Sequence, residues 1–268
     1  MARTTLAAAA AFTIVLGLAG CGDDGDPSGT ATTEEIRGGG LPTSTMAPDD
    51  GVPEAAVEYV EALATGTVTS IGRMAELAAP GSPAELYARY YLASARYWGG
   101  GPPSTTEVRD DEIEVCDDDL AAGEPTCTVF GAFEVDADGL LVTFSTDGSP
   151  IDDRLRAGDP AGVGTEGVSV VVLTSYLTSR GDLVVVVDVT NNRGEVIEVD
   201  DCSATYVGPD GRQVTQQCGS MLPQVQPGAT TSVAYVFEQV AQGGTMTLTV
   251  FADPQGSIEM FDVQVPVP

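Results

Sequence analysis

Five cysteines, Cys21, Cys116, Cys127, Cys202 and Cys218, are the side chains of this sequence with the widest choice of chemistry. An odd count leaves at least one without a disulfide partner. The other reactive types are skewed. The chain has no His, and all 11 of its basic residues are Arg. Without His there is no Ser-His-Asp or Cys-His pair and no His-ligated metal. Without Lys there is no Schiff base, P-loop lysine or Ser-Lys dyad. Carboxylates, Tyr, Ser and Arg remain, which leaves paired-carboxylate hydrolysis or Tyr/Asp isomerase chemistry in principle. No spacing assembles either. The reading is of a non-enzyme with no catalytic residue and no cofactor.

Metal binding has two places to look. Glu134, Asp136 and Asp138 before Gly139 match the start of a calcium loop, but position 12 of that count is Ser145 and the bidentate carboxylate is missing. The run DDEIEVCDDD from Asp110 crowds carboxylates, which reads as a solvated edge. No metal site is expected. The balance of 40 acids against 11 bases gives a net charge of −29. Such a surface repels phosphate backbones, so nucleic acid is excluded as a partner.

Aromatic residues gather between positions 59 and 98, where Tyr59, Tyr87, Tyr90, Tyr91, Tyr97 and Trp98 fall close together. Packing of helices on a sheet accounts for them. The second reading is a cavity lined by amphipathic rings, with Tyr87, Tyr90 and Tyr91 as ligand-binding residues for a small apolar molecule.

Other elements must place these groups. Residues 1–20 begin with Arg3 and continue as an apolar stretch from Leu6 to Leu18. That is shorter than the about 20 residues a spanning helix needs, and it fits a signal peptide. Leu18-Ala19-Gly20-Cys21 resembles the lipobox of bacterial lipoproteins, in sequence and position. The resemblance implies that the Cys21 thiol carries a diacylglyceryl group and that the mature chain starts there. It places the protein at the cell membrane, lipid-anchored, facing outside the cytoplasm. Residues 21–52 are rich in Gly, Pro, Ser, Thr and Asp without apolar periodicity, and read as a disordered tether spanning roughly 30 Å.

A first folded unit is expected over 53–157. Residues 53–64 have helical spacing, and a second short helix is expected from Ile71 to Ala79. A third opens at Ser82-Pro83-Ala84-Glu85, a capping-box pattern with Pro at the first helical position, and runs to Trp98 before three glycines. Strands follow at Glu107–Cys116, Cys127–Val135 and Leu140–Thr146, the last two joined by the turn Asp136-Ala137-Asp138-Gly139. Helices before antiparallel strands give an α+β unit. The stretches APGSPAELYARYY and CTVFGAFEVDADGLLVTFSTDGSPIDDRL resemble NTF2-like domains of Gram-positive lipoproteins, which implies helices packed on a curved antiparallel sheet, a cone.

Residues 158–167 read as a linker. From 168 to 268 the chain reads as seven strands, Val168–Tyr176, Leu183–Thr190, Val196–Val207, Arg212–Cys218, Thr230–Phe237, Thr245–Phe251 and Ile258–Val265, and in Thr245–Phe251 Met246, Leu248 and Val250 face one way and the threonines the other. Short strands between polar turns predict an all-β sandwich. The order VVVVDVTNN, GPDGRQ, QPGATTSVAYVF resembles immunoglobulin-like domains of unknown function in the same class of lipoproteins. The fold class is therefore two domains, an α+β NTF2-like cone followed by an immunoglobulin-like β-sandwich.

With Cys21 assigned to lipid, each unit holds two cysteines, and an exported compartment favours their pairing. Proximity selects Cys116–Cys127 and Cys202–Cys218. A hairpin turning about Asp210 places 202 and 218 across from each other, provided that no bulge intervenes. The expected function is that of an extracytoplasmic lipoprotein acting as a binding module. Its partners are the membrane, through the anchor, and another envelope protein or a glycan.

Overall fold

The computed structural model describes residues 51–117, 126–216, 223–252 and 258–268. The expected signal peptide, Cys21, almost all of the expected tether and Cys218 lie outside the described residues. Val52, at the end of that tether, already packs on a core. Among the described residues no helix is long and apolar enough to cross a membrane.

Three helices lead: α1 (Glu54–Ala64), α2 (Val68–Leu77) and α3 (Pro83–Trp98). Their ends follow local chemistry. Thr67 and Ser70 cap α2 reciprocally. At α3 the Glu85 amide donates to Ser82 Oγ at 3.1 Å, while Glu85 Oε2 accepts from the Gly81 amide at 2.5 Å. The carboxylate thus reaches one residue further back than a capping box requires. Gly99 ends the helix at φ 85, and the Gly99 and Gly100 amides both donate to the Ala95 carbonyl at 2.8 Å.

A five-stranded antiparallel sheet follows in the order β1 (Thr105–Arg109), β2 (Glu112–Asp117), β3 (Thr126–Val135), β4 (Leu141–Thr146) and β5 (Ser149–Pro150). The single strand expected over Glu107–Cys116 is in fact the β1–β2 hairpin, turning at Asp110 and Asp111 with Asp110 at φ 45. Acidic residues in both arms hide that turn from a reading of polarity. Asp110 accepts the left-handed conformation that few other residues tolerate. The β3–β4 turn is as expected, and Asp136 Oδ1 accepts from the amides of Asp138 and Leu140 at 3.0 and 2.9 Å.

The chain then passes through α4 (Ile151–Arg154), β6 (Leu155–Ala157) and β7 (Val163–Thr165) into β8 (Val168–Leu177) and β9 (Leu183–Asn191). Next come β10 (Ile197–Val207), β11 (Gln213–Thr215), β12 (Gln224–Val225), β13 (Thr230–Phe237), β14 (Thr245–Ala252) and β15 (Glu259–Pro266). All seven expected strand segments have counterparts here. One antiparallel sheet runs β13-β9-β8-β6 with β7 also on β8; the other runs β11-β10-β14-β15 with β12 on β10. Residues 158–167, read as a linker, hold β7, and β6 and β7 pair with opposite ends of β8. Gly158 makes this return possible: its amide donates to the Leu173 carbonyl, and a Cβ there would lie 1.8 Å from the Val172 carbonyl oxygen.

Two apolar cores result, and they share a wall. Val170, Val185, Val187, Val233, Leu248 and Val250 belong to the core between the two later sheets. Val184, Val186 and Ala234, on the opposite face of β9 and β13, belong to the other core with α1–α3 and the first sheet. The unbroken buried run Leu183–Val187 reflects burial on both faces.

Candidate functional site

The tyrosines come together on α3. Tyr87 is 1% exposed and Tyr90 6%, and Tyr91 is half-buried. Their rings contact one another, with Tyr87 and Tyr91 centroids 4.7 Å apart and Tyr90 and Tyr91 at 5.0 Å. Phe144 of β4 meets Tyr87 edge-on at 5.1 Å. Tyr176 of β8 meets Tyr87 at 5.9 Å and Tyr90 at 5.0 Å. Aromatic side chains thus pack against one another throughout this cluster. Burial, and then the neighbouring Tyr91, hold Tyr59, Tyr87 and Tyr90 well above the ordinary tyrosine value. Burial also raises Tyr176, against which the Arg154 guanidinium pulls. Tyr59 donates to the Ala84 carbonyl at 2.7 Å.

Tyr176 is the member that sequence spacing does not show. A bulge between Val172 and Thr174 re-aims the end of β8. Val168, Val170 and Val172 face one core, while Leu173 and Tyr176 reach the other.

Cys116 and Cys127 oppose each other across β2 and β3 and form a disulfide. Glu114 lies beside them, but their sulfurs are spent in the bond, so this grouping is not a metal site. Cys202 is half-buried on β10. The β10–β11 ladder pairs Thr205 with Thr215 and Tyr206 with Val214, and the Gln216 amide donates to the Ala204 carbonyl at 2.9 Å. Cys218, its expected partner, lies outside the described residues.

A groove of about 570 Å³ opens where the C-terminal end of α3 leaves the sheet. Arg96, Tyr97, Pro223, Gln224, Thr230 and Ser232 line it. Tyr97 packs on both cores at once. Ser232 Oγ donates to Asp188 Oδ1 at 2.6 Å, Gln224 Nε2 donates to Glu198 Oε1 at 2.9 Å, and the Thr230 and Thr190 hydroxyls lie 2.8 Å apart. Sequence reasoning did not single out this place. Arg96 reads only as a favourable cation in a helix's last turn.

No protein-family model matches this chain, and no curated protein matches it either.

Proposed function

We propose that the chain is a lipid-anchored lipoprotein on the outer side of the cell membrane that acts by binding rather than by catalysis. In this reading Cys21 carries the lipid, residues 22–52 form the tether, and the folded part is an NTF2-like unit followed by an immunoglobulin-like one. The partner is another envelope protein or a glycan. The observation that carries the reading is the pairing of the Leu18–Cys21 tetrad with the Cys116–Cys127 disulfide, since a stable cross-strand disulfide suits an oxidising compartment. The absence of His and Lys from the whole sequence supports the non-catalytic part. The β-rich architecture, with helices on one antiparallel sheet and two further sheets about a common core, supports the two domain assignments.

The test is Cys21→Ala in cells fed a labelled fatty acid. Loss of label and release of the chain from the membrane are expected; label that persists overturns the anchor. Crosslinking on intact cells tests binding, with a reproducible partner expected. Repeated recovery of none overturns that part.

A further inference from the structure

We propose that the groove at the end of α3 is a binding site for a saccharide bearing a carboxylate group, with Arg96 as the residue that holds the carboxylate.

Arg96 is the first observation. The chain has 40 acids for 11 arginines, so a guanidinium has every opportunity to pair. Of the nine arginines among the described residues, Arg73, Arg89, Arg109, Arg154, Arg156, Arg193 and Arg212 are engaged in ion pairs or hydrogen bonds. Arg96 and Arg180 have no such partner among the described residues, and of the two only Arg96 lines a groove. The Gly99 and Gly100 amides, not Arg96, serve the Ala95 carbonyl at the helix end. An exposed, unpaired guanidinium presents a planar fork of donors that matches a carboxylate in two parallel bonds.

The rest of the lining fits a polyol. Tyr97 offers an aromatic ring held between two cores, so its position costs no ordering on binding. The groups beside it are hydroxyls and an amide whose donors are largely committed. Ser232 donates to Asp188 and Gln224 to Glu198, which leaves the Ser232 oxygen and the Gln224 carbonyl oxygen to accept from sugar hydroxyls. The volume lies within the about 300–1,000 Å³ of small-molecule sites. Charge narrows the ligand further. Asp188 and Glu198 stand behind the lining, so a doubly charged phosphate meets more repulsion than a single carboxylate does. A neutral sugar leaves the Arg96 guanidinium without a counter-charge.

The experiment is calorimetric titration of the full chain with glucuronic acid, its methyl ester, glucose and inorganic phosphate. Glucuronic acid is expected to bind at least about tenfold more tightly than the ester or glucose, and phosphate is expected not to compete. Arg96→Gln removes that preference by about the same factor, and Thr230→Val weakens all three sugars alike. Both positions are exposed, so the fold is expected to survive, as circular dichroism will check. Equal binding of acid and ester, binding unaffected by Arg96→Gln, phosphate binding in place of sugar, or no sugar binding at all overturns the proposal. The titration does not depend on the lipid, so its failure leaves the anchor reading standing, and loss of that reading leaves the groove untouched.

Discussion

The ring of Tyr176 on β8 stands edge-on to the ring of Tyr87 on α3, centroids 5.9 Å apart and planes at 79°. One residue belongs to the helical part of the chain and the other to the strands that follow it. Around this contact, Gln242 Nε2 donates to the carbonyls of Arg154 and Ser175 at 2.9 and 3.1 Å. The helices and the β9–β8–β13 wall therefore share buried surface.

Truncating that contact tests how tightly the two parts are coupled. Tyr176→Ala is expected to destabilise the protein by about 3–5 kcal/mol, because a buried ring leaves a cavity that its rigid neighbours cannot close. Tyr176→Phe keeps the ring and loses the hydroxyl's contacts with Thr146 and Arg154, at a cost of about 1 kcal/mol. Urea unfolding followed by far-UV and tyrosine signals will check both. A shared wall predicts that both signals shift together.

The buried tyrosines predict failure at alkaline pH. In the unfolded chain a phenol ionises near its ordinary value of 10.0, while burial holds Tyr59, Tyr87 and Tyr90 well above that. Between the two values the unfolded chain gives up protons that the folded chain keeps. Stability from this source is whole below pH 10.0 and is lost as pH rises above it. Tyrosinate absorbance from the buried rings should therefore appear together with loss of circular dichroism, not before it.

Removing the Cys116–Cys127 bridge, as the double Ser variant, should cost about 2–3 kcal/mol, since it frees a short loop in the unfolded chain. Thermal unfolding with and without reductant checks this. In the double variant, addition of reductant should no longer act through this hairpin.

Asn191 is fully buried at the end of β9 and joins three segments. Its Nδ2 donates to the carbonyls of Glu195 and Val225 at 2.8 and 2.9 Å, and its Oδ1 accepts from the Arg193 amide at 2.9 Å. Asn191→Ala leaves those backbone groups without partners and is expected to cost about 2–4 kcal/mol in denaturant unfolding. Asn191→Asp keeps the acceptor and loses both donations, so it should recover little of the loss.

Much of the local structure was legible in the residues. Ser82-Pro83-Ala84-Glu85 announced the start of α3 and Gly99 its end, because both act on backbone groups a few positions away. The alternation Met246, Leu248, Val250 showed which face of β14 is buried. The disulfide pairing of Cys116 with Cys127 followed from nearness in the chain. The hairpin inside Glu107–Cys116 was not legible, because both arms are acidic and the turn residues are too. The groove was not legible either, since Arg96 and Ser232 lie far apart in sequence and neither carries a motif.

The sequence by itself determined helix ends, turns, strand alternation and the excess of acid over base, all of which depend on neighbouring residues or on composition. The sequence marked Leu183–Thr190 only as a strand, and the burial of Leu183–Val187 on both faces came from the fold. Only the tertiary structure decided what covers those faces: α3 on one side, the β10–β14–β15 sheet on the other. The β8 bulge decided that Tyr176 joins the tyrosines of α3, and the exit of α3 from the wall decided where Arg96 stands. The contacts of Tyr176 with Tyr87 and of Arg96 with its groove join residues 80 or more positions apart, where no local preference acts and the way the chain packs sets the partner.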